Sequence, residues 1–427
     1  MKAYNNPPRT DWPALTQRPQ LSLDFLESQV RNILQRVRSA GDASLLELTE
    51  KYDGAVLQQT EVSAHEIEIA AASLSTDIKQ AIQVASQNIT AFHRAQTRAD
   101  IRVETMPGVV CWRKSVPIQK VGIYIPGGTA PLFSTVLMLA IPARLAGCPE
   151  VILCTPPNRD GSVNPAILYA ASLCGINRIF KVGGAQAIAA LAYGTESIPG
   201  VYKIFGPGNQ YVTKAKQLVG QEGIAIDMPA GPSEVLVIAD QSADADFIAA
   251  DLLSQAEHGT DSQVVLVTTS PSLPAAVQSS IEKQLDQLAR KAIATEALQN
   301  SLSVTFSSMD DAVAFANTYA AEHVIIQTAN PEAVADALTN AGSVFLGPWT
   351  PEAAGDYASG TNHTLPTGGF ARAYSGVSLE SFNKTITYQQ ISTKGIQLLG
   401  PTVEVMARAE LLDAHRNAIR IRLNKAL

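Results

Sequence analysis

The chain has 427 residues and sets 32 Lys and Arg against 39 Asp and Glu, a formal net charge of −7. Hydrophobic residues make up 46% and charged residues only 17%, against roughly 25% charged in an ordinary soluble domain. This excludes a disordered chain and leaves room for a large core and an extensive subunit interface. There is no basic footprint, so a nucleic-acid partner is not expected. The cysteines are Cys111, Cys148, Cys154 and Cys174, with no C-x-x-C pair among them. That argues against a thiolate zinc site and against a disulfide scaffold, and a reducing compartment fits. Met1–Trp12 holds no apolar signal segment, and the strongest apolar run, Val136 to Ile141, stops at Pro142, far short of the roughly 18 residues of a membrane span. A soluble, cytoplasmic protein with no membrane partner is expected.

The first hundred residues read as helical. Leu26, Val30, Ile33, Leu34 and Val37 recur at helical spacing until Gly41-Asp42 interrupts them. Ser63 and Glu66 form a capping-box signal. Ile78, Ala81, Ile82, Ala85, Ile89 and Phe92 form a second stripe, and His65 and His93 read as solvated residues of these helices. From Val121 the pattern alternates. Strands are predicted at 121–125, 151–154, 179–182 and 202–205. Helices are predicted from Ser134 (ended or kinked by Pro142), at 165–174 and at 185–193. After a Gly/Pro-rich break at 228–232 come strands at 235–239, 263–268, 303–306, 324–327 and 343–346. The helices between them are at 243–257, 273–290, 310–322 and 331–338. Such alternation predicts two parallel sheets with crossover helices. Residues 347–378 read as a Gly-rich loop of functional length. The last fifty residues, with a helical run near 407–418, are too few to form a core and must dock on something.

Six histidines make the search for chemistry short. Gln255 and His258 are three apart and share a helix face if the helix continues through them. They suit a metal, or else they are a helix C-terminus with Gly259 as its cap. Asp356 in Gly355-Asp356-Tyr357 could reach a metal or a substrate amine, or bond its own backbone as a turn aspartate. Glu322-His323 places a carboxylate and an imidazole together, a pairing that suits proton transfer; a surface acid and base is the plainer reading. Glu410 and His415 form a similar couple. No H-E-x-x-H run and no complete G-x-G-x-x-G exist, so neither a zincin hydrolase nor a dinucleotide fingerprint can be claimed. The turns at Gly127-Gly128, Gly183-Gly184 and Gly206–Gly208 do follow predicted strands, where α/β sheets bind ligands.

The ordered motifs resemble the histidinol dehydrogenase family from about Leu23 to Leu423. They are Val121–Gly128, Gly183–Ile188, Gly206–Asn209, Ala230–Glu234, Leu253–Gly259, Ala321–His323, Gly355–His363, and Glu410 with His415. The resemblance implies two successive NAD-linked oxidations of L-histidinol, through L-histidinal, to L-histidine, the last steps of histidine biosynthesis. It implies one Zn2+ per site on Gln255, His258, Asp356 and His415, an amide being an unusual ligand. It assigns Glu322 and His323 to acid–base catalysis. Substrate would be bound by Ser233, Gln255, His258, His323, Asp356, Glu410 and His415, and NAD by Tyr124, Gln186 and Asn209. The family is a homodimer whose C-terminal tail completes the partner's site, so Glu410 and His415 would act in trans.

The implied fold is α/β, with two incomplete Rossmann-like parallel-sheet domains, a helical N-terminal region and an extended C-terminal tail. The divisions expected are an arm at 1–22, a helical part at 23–118 packing with the second α/β domain, a first α/β domain binding NAD at 119–233, a second at 234–378, and a dimerisation tail at 379–427. Rival readings are a zinc hydrolase in which Glu322 activates water, a non-catalytic metabolite binder, and an aldehyde trap using the Cys148 or Cys154 thiolate.

Overall fold

The computed structural model describes residues 1–18, 23–127, 131–229 and 231–426. Gly128 and Ala230, members of two of the motifs above, lie outside the described residues. Among these the strands run, in chain order, β1 (Lys2–Asn5), β2 (Ile101–Met106), β3 (Val109–Pro117), β4 (Lys120–Tyr124), β5 (Glu150–Thr155), β6 (Arg178–Lys181), β7 (Lys203–Phe205), β8 (Ala225–Ile226), β9 (Glu234–Ala239), β10 (Gln263–Thr268), β11 (Leu302–Thr305), β12 (His323–Gln327), β13 (Ser343–Leu346) and β14 (Asn383–Ile391).

Two all-parallel sheets carry the fold, in the orders β6-β5-β4-β7-β8 and β1-β11-β10-β9-β12-β13. Every strand predicted for the two blocks is present to within a residue at either end. The central strands β9 and β10 are buried along their whole length, as expected where helices cover both faces of a parallel sheet. In the first sheet the winding reverses at β4. β5 and β6 are added on one side and β7 and β8 on the other, which places a switch-point crevice between β4 and β7.

The structure corrects several expectations. Residues 1–18 are not an arm. β1 pairs with β11 at the edge of the second sheet, and Trp12, 5% exposed, packs edge-on against Phe306 and Phe315 at 5.6 and 5.5 Å. The helical part packs with the first α/β domain, not the second. Helix Leu23–Asp53, bent at Gly41, lays its Leu26–Val37 stripe on helix Gly184–Tyr193. The alanines of that helix let the two axes approach. Helices Ala64–Ser73 and Thr76–Arg94 cover helices Pro165–Leu173 and Phe133–Ala146. The Ser63–Glu66 capping box is present.

The second stripe is narrower than predicted. Ile82, Ala85, Ile89 and His93 are buried, while Ile78 and Phe92 are exposed. His93 is therefore a core residue. Its Nδ1 lies 2.9 Å from the Ile89 carbonyl, and burial lowers its pKa. Residues 101–117 are not helical; β3 pairs antiparallel with β2 on one side and with β14 on the other.

Helix Phe133–Ala146 runs straight through Pro142 to a C-terminal Gly147 at φ +83°. Proline cannot donate to the carbonyl four residues back, but the Asn362 side-chain amide donates to that Met138 carbonyl at 2.6 Å instead. The predicted 347–378 loop contains a helix, Glu352–Tyr357. The predicted run at 407–418 is broken at Leu411 (φ +60°) into helices Thr393–Ala409 and Asp413–Ala426. These two helices pack on each other, and the second buries none of its residues. Among the described residues no helix is long and apolar enough to cross a membrane.

Candidate active site

Register between β9 and β12 sets His323 opposite Val235, so Ser233, Glu234, Glu322 and His323 gather at the amino edge of the second sheet. The Glu234 backbone serves both Glu322 and His323. Its N–H donates to Glu322 Oε2 at 2.9 Å, and its carbonyl lies 3.3 Å from His323 Nδ1. The Glu234 carboxylate is clamped in turn. Arg18 donates to both its oxygens at 2.8 and 2.9 Å, and the Gly368 N–H donates at 2.8 Å. The Ser233 carbonyl accepts from Gln263 N at 3.1 Å, which fixes the chain entering β9.

Helix Ala245–Ala256 ends before His258, so Gln255 and His258 do not share a helical face. The chain curls instead, with His258 N donating to the Gln255 carbonyl at 3.2 Å. Helix Glu352–Tyr357 packs against this helix end. Its four-residue spacing turns Glu352 and Asp356 the same way. His258, Glu352 and Asp356 each offer a donor atom, and the three atoms lie within 4.8 Å of one another. Satisfying the buried Gln255 amide turns its nitrogen to Glu352 Oε1 and its oxygen to Glu234 N–H, at 2.9 Å. His323 Nε2 lies 3.4 Å from Asp356 Oδ1, and its Nδ1 lies 3.7 Å from Glu322 Oε2.

The electrostatics follow from crowding charge in a dry place. Burial lifts Glu322 to about 8, although His323 and the Glu234 N–H pull the other way. Burial alone would lower His323, but the carboxylates of Glu352, Glu322 and Asp356 outweigh it and hold the imidazole up at about 10. Burial raises Glu352 well above the carboxylate range. Asp356 is also desolvated, yet its contact with His323 keeps it below its ordinary value. His258 is lowered by the protein around it, against the pull of Asp356.

Three buried polar atoms here lack a hydrogen-bond partner: His323 Nε2, Glu352 Oε2 and Asp356 Oδ1. Buried polar groups are rarely left so. Orphaned atoms beside a cluster of nitrogen and oxygen donors fit a divalent cation such as zinc, which accepts imidazole and carboxylate together.

The site also touches the first domain. His363 links the two, with Nδ1 2.7 Å from the Asp356 carbonyl and Nε2 3.0 Å from Thr135 Oγ1 near the start of helix Phe133–Ala146. That helix follows β4, so the carboxyl edge of the first sheet adjoins the amino edge of the second. On the carboxyl edge, the Tyr124 phenol oxygen accepts from Gly184 N at 3.1 Å, and Gln186 is buried in the first turn of helix Gly184–Tyr193. Asn209 caps helix Gln210–Gln221 through its Oδ1. Gly206 (φ +130°) lies against the Tyr124 carbonyl, where any Cβ would clash.

Gln255, His258, Glu322, His323 and Asp356 are thus brought together. Glu410 and His415 are not, within one chain: both are exposed, and they stand on the C-terminal helical pair. The residues missed from the sequence are Glu352 and Arg18; His363 was in view, within the Gly355–His363 motif, but without an assigned role. Glu352 was legible only once 352–357 was read as a helix, from its spacing to Asp356. Cys148 and Cys154 are poor nucleophiles. Burial pushes Cys148 up to about 11 and Cys154 higher still.

Two parallel α/β domains with a buried Glu–His pair and a cluster of nitrogen and oxygen donors at their junction are the arrangement of an enzyme site, and the comparisons with known proteins place it among the dehydrogenases. Residues 16–423 match the sequence model of the family described as Histidinol dehydrogenase. A histidinol dehydrogenase of Bacteroides thetaiotaomicron is 56% identical over 424 residues, covering 99% of both chains. One of Vibrio cholerae is 54% identical over 415 residues, covering 97% of this chain and 94% of that one. The crystal structure of histidinol dehydrogenase from Elizabethkingia anophelis superposes with a TM-score of 0.97 at 53% identity, covering 100% of this chain and 98% of that one. The chain belongs to the histidinol dehydrogenase family and is an oxidoreductase.

Proposed function

We propose that the enzyme oxidises L-histidinol to L-histidinal and then to L-histidine, the closing steps of histidine biosynthesis, with two NAD and one zinc ion per site. The observation that carries this is the Glu322–His323 couple set beside the orphaned donor atoms of Glu352 and Asp356. Gln255, His258 and Asp356 would hold the ion, with His415 of the second subunit as the remaining ligand. Zinc bound there would orient the amine and imidazole of the substrate and offset the carboxylates that keep His323 protonated. NAD, on Tyr124, Gln186 and Asn209, would accept a hydride in each oxidation.

His323 takes the hydroxyl proton as the alcohol carbon loses its hydride, and its Nδ1, set against the Glu234 carbonyl, stays oriented throughout. For the second oxidation Glu322 takes a proton from the water that adds to the aldehyde while protonated His323 gives its proton to the carbonyl oxygen; the resulting diol then loses its hydride as the neutral His323 takes a hydroxyl proton. Ser233 and Glu410 complete substrate binding. Glu410 and His415 enter from the partner of a homodimer, which supplies a role for two exposed residues on a tail whose last helix buries nothing.

The test is NADH absorbance on mixing zinc-loaded protein, histidinol and NAD+. Two NADH per histidinol consumed is expected. Histidinol binding without NADH would leave a metabolite binder, and hydrolytic turnover without NAD a zinc hydrolase.

A further inference from the structure

Helix Leu23–Asp53 ends at a carboxylate that the proposed reaction does not use. Asp53 Oδ2 is buried without a hydrogen-bond partner. Desolvation alone, with no opposing cation or N–H, raises this carboxyl to about 6. The location is specific. Asp53 Oδ1 lies where a Cβ on Gly183 would be only 3.2 Å away, and Pro156 crowds the same point. The charge of Asp53 reaches the Tyr124 phenol. The corner therefore lies over the carboxyl ends of β4, β5 and β6, beside the Gly183-Gly184 turn.

Dinucleotide-binding sheets usually read the adenosine ribose with an acid at the end of the strand beside the central one, and that acid also rejects a 2′-phosphate. Here the corresponding strand is β5, which runs out into Thr155-Pro156-Pro157-Asn158 with no acid. The N-terminal helix brings one in from outside the sheet. The nicotinamide must face the catalytic couple, which adjoins the first domain through Thr135 and His363. The adenosine half is then left to the β5–β6 side, where Asp53 stands. We propose that Asp53 accepts hydrogen bonds from the adenosine ribose hydroxyls of bound NAD and so sets a preference for NAD over NADP. This rests on the cofactor reading above.

Calorimetric titration of the zinc-loaded protein tests it with NAD+, NADP+ and NAD+ lacking the adenosine 2′-hydroxyl. Wild type should bind NAD+ about tenfold or more tighter than either analogue, the scale of a hydrogen bond to a charged acceptor. In Asp53→Ala the three affinities should come within about twofold of one another, while thermal unfolding without cofactor should be no lower than in wild type. If wild type binds the 2′-deoxy analogue as tightly as NAD+, or if Asp53→Ala keeps the wild-type ratios, the role of Asp53 is overturned. The first of these needs no variant to fold. Absence of any NAD+ binding overturns the cofactor reading as well, which separates the two failures.

Discussion

Replacing Arg18 by Met should unfasten the Glu322–His323 pair from a distance. In the native chain the guanidinium donates to Glu234 Oε1 at 2.8 Å, to Glu234 Oε2 at 2.9 Å, to the Tyr319 carbonyl at 2.8 Å and to the Thr16 carbonyl at 2.8 Å. It also lies 3.5 Å from the Tyr319 ring centroid. The Glu234 side chain is 1% exposed, so Met leaves a buried carboxylate with the Gly368 N–H as its remaining donor. Removing one partner of a buried pair costs about 3–5 kcal/mol, because the other charge is stranded. That is roughly a hundredfold to a few thousandfold in the folding equilibrium. Urea unfolding followed by tryptophan fluorescence reads it, since Trp12 packs on Phe306 and Phe315 a few residues before Arg18. The midpoint should fall with little change in slope. Adding Glu234→Gln should recover about half the loss, because the stranded charge is gone while the backbone that holds Glu322 and His323 is unchanged. A loss under about 1 kcal/mol, or a double variant no better than Arg18→Met, would refute the argument, since a stranded buried charge must cost more than a surface pair.

His323→Asn should abolish NADH formation while metal analysis still finds one zinc per site; loss of the metal would show that this imidazole is a ligand and not the base. Glu352→Gln should weaken zinc affinity by about 10–100-fold in chelator competition, the range seen when a ligand or its support is altered, and an unchanged affinity would remove Glu352 from the metal centre. Asp251 accepts from Gln327 Nε2 at 3.1 Å, but burial lifts its pKa from 3.8 to about 6. A folded pKa above the unfolded one means that the native state binds more protons between those values, so its contribution falls as pH rises from about 4 to 6 and stays lost above. Asp251→Asn in metal-free protein should therefore be more stable than wild type by up to about 2–3 kcal/mol at pH 7 and equal to it near pH 4; a pH-independent difference would be inconsistent. Asn362→Ala strands the Met138 carbonyl and should cost about 1–3 kcal/mol, and adding Pro142→Ala should restore part of that by giving residue 142 an N–H of its own. No recovery would mean that Asn362 matters through another contact.

What the sequence made legible is what periodicity and motif order encode. β9 and β10 are unbroken apolar runs between helical stripes, and both sheets follow from them. The couple Glu322-His323 and the pair Gln255 and His258 were legible because their members are near neighbours in sequence. The misses have physical causes. Period-two alternation in Ile101-Arg102-Val103-Glu104 is the pattern of β2, but it lies in a stretch read as helix from the stripes before it. His93 looked solvated because a histidine at the end of an amphipathic stripe carries no mark of its burial; Asn362, far along the chain, meets its Nε2 at 3.3 Å. Pro142 looked like a helix stop because the amide that replaces its missing donor lies more than two hundred residues on. Docking of 23–94 on the first domain rather than the second depends on the alanine-lined face of helix Gly184–Tyr193, a property of the receiving surface and not of the helices that dock.

The rule that α/β sheets bind ligands at their carboxyl edge holds for only half of this site. Tyr124 ends β4 and Asn209 follows β7, as the rule requires, but His323 opens β12 and Glu234 opens β9. Chemistry at an amino edge has a constructive reason here. Strand starts present backbone N–H and C=O groups not yet committed to the ladder, and Glu234 spends both on Glu322 and His323. Helix Ala245–Ala256, which feeds the neighbouring β10, ends at the same edge and delivers Gln255, with His258 just beyond its end. A carboxyl edge that carries Tyr124, Gln186 and Asn209 and an amino edge that carries the Glu322–His323 pair are brought together at this junction. The chain seats them against each other through the His363 link from Asp356 to Thr135 and the Asn362 amide on Met138. A loop that merely connected the second domain to the tail would not need to satisfy a proline's orphaned carbonyl in the first.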